Sequence, residues 1–245
     1  MMERGAVRHN RSRRPCFNIH GRFNSGQLWE ACLALRAVVF DYGMVLTGPP
    51  DAEARAALLR VTGLTEDRFD AIYWADRLAY DEGKLTGIAF WTKFVNESGL
   101  NPAPDRLGAV VEELNGLDAQ MWTTQNLEML AWQAELNRRG LRTAILSNMG
   151  DSVLAKMKRK FDWLTRFDVL VWSYQLRMAK PDPAIYLHVL KELGTRPEET
   201  LFLDDKLENI EAAQALGLHA IQFSSVEKLR GDLVADGFDA ELPLP

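Results

Sequence analysis

Cysteine is scarce in this sequence, and long hydrophobic runs are absent from it. Only Cys16 and Cys32 occur among the 245 residues, both near the start of the chain. Two cysteines so placed argue against a disulfide framework or a cysteine-rich zinc site, and they favour a reducing compartment. No apolar run approaches the roughly 20 residues that a membrane-spanning helix needs. The sequence therefore predicts a cytoplasmic protein with no membrane partner.

Basic charge is not in excess either. The 34 Asp and Glu residues outnumber the 29 Lys and Arg residues, which gives a formal net charge of −5 at pH 7. This balance argues against a protein that coats nucleic acid, and an anionic ligand would need a local cation. With 47% hydrophobic residues, the chain is long enough for one large domain or for a core with an inserted module.

Residues 1–34 differ in composition from the rest of the chain. They have no sustained apolar period, and Glu3 and Glu30 oppose six arginines, Arg4, Arg8, Arg11, Arg13, Arg14 and Arg22. We interpret them as a flexible basic extension without an assigned function. A transit peptide and an over-long gene start are the alternatives, because a transit peptide is also rich in arginine and poor in acidic residues.

The stretch that organises the remaining chain is a short apolar run that ends on a carboxylate. Ala37 to Phe40 are all apolar, as in a central parallel strand covered on both faces, and Asp41 follows directly. Gly43 then permits a sharp turn. Because ligands of open parallel sheets bind at the carboxyl ends of the strands, Asp41 is predicted to face a crevice.

A long helical tract follows this first strand. No strand alternation occurs between Pro50 and Trp122, and Asp51 and Gly63 have the spacing of an N-cap and a C-terminal glycine. Further helices are predicted over Glu66–Ala79, Gly87–Ser98 and Asp105–Asn115. We interpret residues 49–122 as an all-helical module inserted after the first strand.

Strands and helices alternate in the rest of the chain. Strands are predicted over residues 141–146, 167–172, 200–203 and 219–223, with an acidic tail after the last one. Thr124 is the predicted cap of the first helix, and Asp182 with Pro183 marks the start of a later one. This alternation predicts a doubly wound parallel sheet, built from residues 35–48 and 123–245.

Polar side chains lie at the predicted strand ends, where a parallel sheet brings them to one edge. These are Asp41, Ser147 with Asn148, and Asp204 with Asp205, and Lys180 precedes a helix start nearby. Such a set suits phosphoryl transfer, in which a carboxylate attacks phosphorus and a lysine and a divalent metal neutralise charge. Carboxylates and a carbonyl are the hard oxygen ligands that Mg²⁺ prefers.

These stretches resemble the four motifs of the haloacid dehalogenase (HAD) superfamily, in the same order. The resemblance covers residues 35–223 and rests on Phe40–Leu46, Ile145–Asn148, Lys180–Pro183 and Phe202–Asp205. It implies a Rossmann-like core, and the helical module takes the place of the family's C1-type cap.

The resemblance also implies roles for the residues that match. Asp41 is the expected nucleophile, which forms an aspartyl-phosphate and binds metal, and Lys180 contacts both it and the phosphoryl group. Ser147 and Asn148 are the expected phosphate-binding residues. Asp41, the carbonyl of Gly43, Asp204 and Asp205 are the expected surroundings of Mg²⁺. The implied substrate is a small phosphorylated metabolite.

Gly43 departs from the pattern of most phosphatases in this family. They have an aspartate at this position, which protonates the leaving oxygen and later activates water. A subset that resembles the bacterial glucose-1-phosphatase type has Asp-x-Gly here and includes phosphatases, so sugar phosphates are among the expected substrates. Asp76, Arg77 and Asp81 of the helical module are unranked candidates for the missing acid–base function.

Two other functions remain open from the sequence. A 2-haloacid dehalogenase also uses a carboxylate, a serine and a lysine, but it needs no metal, so Asp204 and Asp205 would have no role. A non-catalytic binding or scaffold protein is the other, because a fold does not guarantee an activity. The sequence does not distinguish a monomer from a homodimer.

Overall fold

A computed structural model describes residues 34–244, and within them five parallel strands form one sheet. The strands are β1 (Ala37–Phe40), β2 (Arg142–Ser147), β3 (Val169–Trp172), β4 (Thr200–Asp204) and β5 (His219–Gln222), in the order β3-β2-β1-β4-β5. The chain therefore reverses its direction of winding at β1, which lies between β2 and β4. The proposed basic extension lies outside the described residues except for Ala34.

The central strand β1 is buried on both faces, as its unbroken apolar sequence predicts. Val38 and Phe40 face one hydrophobic cluster, which includes Trp132. Ala37 and Val39 face the other cluster, which lies under a second layer of helices. A sheet covered on both sides confirms the doubly wound α/β prediction.

Eleven α-helices are found in the described part of the chain. Five lie between β1 and the next core helix, and they are α1 (Ala52–Thr62), α2 (Glu66–Ala75), α3 (Arg77–Asp81), α4 (Gly87–Ser98) and α5 (Leu107–Met121). The others are α6 (Leu127–Arg138), α7 (Asp151–Lys160), α8 (Ser173–Leu176), α9 (Pro183–Leu193), α10 (Leu207–Ala215) and α11 (Val226–Asp236). None of the described helices combines the length and the apolar character that crossing a bilayer requires.

Helices α1 to α5 form a module, here called the cap, with a hydrophobic cluster of its own. The cluster is rich in aromatic rings, and Phe69, Tyr73 and Trp91 lie within 6.3 Å of one another by ring centroids. These rings are almost completely buried. Packing therefore explains the aromatic residues of this tract, apart from Trp74, which is 52% exposed.

The two segments that connect cap and core run side by side. The amide of Asp51 donates to the carbonyl of Met121 (2.8 Å), and the amide of Asn126 donates to the carbonyl of Leu46 (3.0 Å). In addition, the Tyr42 hydroxyl donates to the carbonyl of Trp122 (2.8 Å). These bonds tie the connection directly to the turn that follows β1.

Two predictions about individual helices were wrong, and one helix was not predicted. The helix predicted over Glu66–Ala79 is broken at Asp76, which separates α2 from α3. The N-cap of α6 is Asn126, whose side chain accepts from the amide of Met129, and not Thr124, whose hydroxyl donates to the carbonyl of Pro49. The acidic tail contains α11, which buries Leu229 and Leu233.

Candidate active site

The carboxyl ends of β1, β2 and β4 bring the predicted polar residues to one cavity. Phe40 pairs in register with Ile145 and with Leu203, so Asp41 lies level with the ends of both neighbouring strands. The cavity has a volume of about 370 Å³, and its core side is lined by residues that include Asp41, Gly43, Ser147, Asn148, Lys180 and Asp205. The topology thus gathers the predicted site residues as the sequence implied.

Lys180 is the centre of the charged network in this cavity. Its Nζ lies 2.8 Å from Oδ1 of Asp41 and 2.6 Å from Oδ2 of Asp204, and the whole side chain is buried. Burial alone lowers the pKa of Lys180, but the two carboxylates outweigh it and hold the pKa above its usual value. The ammonium therefore stays charged and links two carboxylates from neighbouring strands.

Asn148 holds the main chain of Lys180 in place. Its Nδ2 donates to the Lys180 carbonyl (2.9 Å), and its Oδ1 accepts from the Lys180 amide (2.8 Å). Both ends of the amide group are therefore engaged. Ser147 differs, because this buried residue lines the cavity and its hydroxyl makes no hydrogen bond with any described residue. Of this pair, Ser147 is the residue with a free group to offer a ligand.

Asp204 and Asp205 have different surroundings although they are adjacent. Asp204 is fully buried, and its Oδ1 accepts from the amide of Lys206 and from Nδ2 of Asn209, both at 2.9 Å. Asp205 is half-buried and lines the cavity. Asp204 therefore fixes Lys180, whereas the carboxylate of Asp205 remains open to the cavity.

The donor set fits a hard divalent cation. Carboxylate oxygens of Asp41, Asp204 and Asp205 lie within 4.8 Å of one another, and Lys180 is the cation bonded among them. Burial, together with the neighbouring Asp204, raises the pKa of Asp41 to about 7 against the attraction of Lys180. Burial and Asp204 likewise raise the pKa of Asp205. Three carboxylates and one ammonium leave negative charge that Mg²⁺ would balance.

The turn after Asp41 leaves space beside the nucleophile. Gly43 has φ −63° and ψ 135°, which any residue can adopt, and a Cβ atom built on it would lie 3.8 Å from Oδ2 of Asp41. A side chain would therefore fit there. Met44 follows with φ +58°, in the left-handed region, and its amide donates to Oγ1 of Thr47 (3.0 Å).

The cap contributes a second charged network to the same cavity. Arg77 and Asp81 both line it, and Nε of Arg77 donates to Oδ1 of Asp81 (3.0 Å). On its other side, Arg77 lies 3.2 Å from Oδ1 of the fully buried Asp118. Asp76, the third sequence candidate, does not line the cavity and pairs with Lys93 on the cap surface.

Asp118 is the residue of this network that sequence reasoning missed. It occupies a core-facing position of α5, in the same stripe as Val111, Leu114 and Met121. An acidic residue inside an apolar stripe was the available signal, because such a group needs a buried partner. Its partners are Tyr73, Trp122 and Arg77.

Comparisons with known sequences find similarity to hydrolases and phosphatases. The haloacid dehalogenase-like hydrolase family profile matches residues 123–217. Mouse acyl-CoA dehydrogenase family member 10 is 29% identical over 92% of this chain, and rat bifunctional epoxide hydrolase 2 is 30% identical over 87%. The chain spans only 21% and 41% of the lengths of these two relatives. A Mycobacterium tuberculosis phosphatase is 27% identical, with 83% of this chain and 94% of that protein covered.

Solved structures show the same fold at low sequence identity. A HAD family enzyme of Bacteroides thetaiotaomicron in complex with magnesium and inorganic phosphate has a TM-score of 0.63 and 23% identity, over 78% of this chain and 95% of its own. L-2-haloacid dehalogenase from Xanthobacter autotrophicus has a TM-score of 0.56 and 23% identity, over 84% of this chain and 88% of its own. The fold is therefore shared by enzymes of different activity.

Proposed function

Because this chain is a member of the haloacid dehalogenase-like hydrolase superfamily, we propose that it is a magnesium-dependent phosphatase that acts on a small phosphorylated metabolite. The observation that carries the proposal is the cluster of Asp41, Asp204 and Asp205 around the buried Lys180. A cavity of about 370 Å³ is large enough for a small ester.

In the proposed reaction, an oxygen of Asp41 attacks the phosphorus of the substrate and forms an aspartyl-phosphate, which water then hydrolyses. The free hydroxyl of Ser147 donates to a phosphoryl oxygen. Lys180 stays charged beside Asp41 and stabilises the negative charge that the phosphoryl group carries. Asn148 contributes by holding the main chain of Lys180 at the right position.

The proposed metal site consists of Asp41, the carbonyl of Gly43 and Asp205, with Asp204 behind them. When bound there, Mg²⁺ would neutralise phosphoryl charge and polarise the bond to phosphorus. Asp204 adds negative charge to the site while it holds Lys180 (2.6 Å). This division of roles follows the exposure of the two carboxylates, because Asp205 is the one open to the cavity.

The same cluster favours a phosphatase over the two alternative functions. A 2-haloacid dehalogenase needs the nucleophile but no metal, so the open carboxylate of Asp205 would serve no purpose in it. A scaffold would have no reason to retain a buried lysine between two carboxylates and an unbonded serine in one cavity, because a buried charge network is costly to maintain. We therefore propose catalysis.

A screen of phosphate monoesters with and without Mg²⁺ tests the proposal. We expect the wild-type protein to release phosphate only with Mg²⁺, and we expect Asp41→Asn to release none while it keeps its fold by circular dichroism. Asp182→Asn, at the N-cap of α9, is the control carboxamide variant. Halide release from 2-haloacids without metal would instead establish the dehalogenase, and inactivity in both assays would favour the scaffold.

A further inference from the structure

The cavity beside Asp41 contains a carboxylate supplied by the cap. Its other carboxylates, those of Asp41, Asp205 and Glu208, belong to the core, and Asp81 is the one from the cap. We propose that Asp81 is the general acid and base of the reaction and performs the function for which Gly43 has no side chain. This inference rests on the proposed phosphatase function.

The carboxylate of Asp81 is held in place with one oxygen free. Arg77 donates to its Oδ1 (3.0 Å), and among the described residues no donor reaches its Oδ2. The carbonyl of Asp81 accepts from the hydroxyl of Ser173, and that hydroxyl accepts from the amide of Met149 (2.8 Å). Asp81 is thereby anchored to the loop that follows Ser147, on the core side of the cavity.

The surroundings of Asp81 suit proton transfer near neutral pH. Burial and Asp118 of α5 together raise the pKa of Asp81 to about 6, against the opposing effects of Arg77 of α3 and Lys206 of the loop after β4. A group that gains and loses a proton near the working pH is the effective acid–base catalyst. Asp76, which pairs with Lys93 on the cap surface, does not line the cavity.

The proton balance closes over one turnover. In the first step the P–O bond to the leaving group breaks while Asp41 bonds to phosphorus, and protonated Asp81 gives its proton to the leaving oxygen. In the second step the Asp81 carboxylate takes a proton from water, whose oxygen bonds to phosphorus while the bond to Asp41 breaks. Asp81 ends protonated, and the products are an alcohol and phosphate.

The dependence on the leaving group tests this role. Alkyl phosphates need a proton on the leaving oxygen, whereas p-nitrophenyl phosphate hardly does. We expect Asp81→Asn to lose about 10²- to 10⁴-fold in kcat/KM on alkyl phosphates and less than about tenfold on p-nitrophenyl phosphate. Asp76→Asn, the matched cap variant, is expected to match the wild type on both substrates.

A second variant keeps the test independent of folding damage. Gly43 has space and an ordinary backbone conformation, so Gly43→Asp places a carboxyl group beside Asp41. We expect it to restore alkyl phosphate hydrolysis in the Asp81→Asn background. An equal loss on both substrates with no rescue would overturn the role of Asp81 and leave the phosphatase intact. A wild type that hydrolyses no ester would reject the phosphatase itself.

A separate observation concerns the mouth of this cavity, which is apolar. Met44, Trp74 and Leu78 all line the cavity, and they are 39%, 52% and 54% exposed. Met44 comes from the turn after β1, whereas Trp74 and Leu78 come from the cap. Exposed large apolar side chains gathered from two sides of one cavity mark a surface that a ligand covers.

The polar groups that the cap contributes to this cavity are already bonded to each other. Arg77 and Asp81 form an ion pair at 3.0 Å. Oδ2 of Asp81, the oxygen available for the proposed proton transfer, is the carboxylate oxygen that this pair leaves open, so the pair offers few hydrogen bonds to the hydroxyl groups of a sugar. We infer that the substrate of the proposed phosphatase carries an alkyl or aryl group next to its phosphate. A substrate of this class differs from the sugar phosphates expected from the sequence resemblance.

Binding of alkylphosphonates in the presence of Mg²⁺ tests this class, because phosphonates lack the bond that a phosphatase breaks. By calorimetry, we expect affinity to rise about two- to fourfold per methylene from methyl- to hexylphosphonate. Trp74→Ala and Leu78→Ala are expected to flatten this series, with a larger loss of affinity for hexylphosphonate than for methylphosphonate. Ile88→Ala, an exposed cap residue outside the cavity, is the control.

The apolar substrate class and the phosphatase function can fail separately, and the two failures give different experimental results. An affinity that is independent of chain length in the wild type would overturn the apolar substrate class, whatever the enzyme hydrolyses. A rising affinity without hydrolysis of any ester would support the apolar site and reject the phosphatase. Stronger binding of 3,4-dihydroxybutylphosphonate than of butylphosphonate would also overturn the class.

Discussion

Lys180 holds together two carboxylates that would otherwise repel each other inside the protein. Asp41 is 8% exposed and Asp204 is 0% exposed, and Nζ of Lys180 lies within 2.8 Å of both. Removing the ammonium leaves buried negative charge without a partner, which typically costs about 3–5 kcal/mol. The residue is therefore important for stability as well as for the proposed reaction.

We expect Lys180→Met to lower the free energy of unfolding by about 3–5 kcal/mol at neutral pH, measured by urea denaturation. Adding Asp204→Asn in the same chain is expected to recover part of this loss, because one of the unpaired charges is removed. Lys84→Met, on an exposed side chain, should change stability by less than about 0.5 kcal/mol. Equal values for the Lys180 and Lys84 variants would contradict the role of Lys180.

Asp81 links stability to pH in a predictable direction. Burial raises its pKa from 3.8 to about 6, so the folded state holds this proton more tightly than the unfolded state does. Its contribution to stability is complete below pH 3.8 and is lost as the pH rises through about 6. The difference of about two pKa units corresponds to roughly 3 kcal/mol.

We therefore expect the wild type to lose stability relative to Asp81→Asn between pH 4 and pH 7, by roughly 2 kcal/mol. Urea denaturation of both proteins across this range measures the difference. Parallel pH profiles would show that the Asp81 carboxyl group titrates alike in the folded and unfolded states. This measurement needs no substrate, so it examines the surroundings of Asp81 apart from its catalytic role.

Residue types and the parallel sheet were enough to predict which side chains gather at the strand ends, but they did not predict the pairings between these side chains. The strand ends placed Asp41, Ser147 and Asp205 at one edge, because parallel strands share a direction. The clamp between Asn148 and Lys180 depends on how two loops meet, and loops carry no periodic signal. The bond between Arg77 and Asp118 crosses the cap in the same way.

At the scale of elements, the short helix α3 depends on the glycine that follows it. Gly83 has φ +73°, and a Cβ atom there would lie 2.5 Å from the carbonyl oxygen of Tyr174 in α8. Gly63 has a similar φ of +65° but no atom within 4 Å of such a Cβ. Comparing substitutions at the two glycines therefore distinguishes the cost of backbone strain from the cost of a steric contact between cap and core.

We expect Gly63→Ala to lower the free energy of unfolding by about 1–2 kcal/mol, the cost of the left-handed conformation. Gly83→Ala should cost clearly more, because α3 must also move away from α8. Since α3 carries Asp81, this variant is expected to lower kcat/KM on alkyl phosphates, whereas Gly63→Ala leaves it unchanged. Urea denaturation and the ester assay provide the two measurements, and equal losses in both would contradict the contact.

The differences between the predicted and the observed elements have specific physical causes. Thr124 lies two residues before the true N-cap Asn126 and has an acceptable side chain, but tertiary contacts direct its hydroxyl to Pro49. The helix α11 has a short apolar stripe in an acidic segment, and burial of Leu229 and Leu233 against the core stabilises it. Long-range packing determines both the position of the α6 N-cap and the formation of α11, and a local sequence pattern carries no information about such packing.

At the scale of the whole molecule, the carboxylate cluster connects distant parts of one compact body. The described residues of core and cap all fall within one compact unit. Asp41 follows β1, Asp204 ends β4 and Asp205 follows it, and Lys180 precedes α9. A ligand that binds this cluster only in the folded state must therefore stabilise the entire unit.

We expect Mg²⁺ at about 100 times its Kd to stabilise the folded protein by about 2.7 kcal/mol, which corresponds to a rise in Tm of roughly 5–10 °C. Asp205→Asn is expected to abolish this shift, because it removes the carboxylate that is open to the cavity. Asp232→Asn, on the surface of α11, should keep it. Scanning calorimetry with and without Mg²⁺ measures the shift without any substrate, so a persistent shift in Asp205→Asn would place the ion elsewhere, whatever the enzyme hydrolyses.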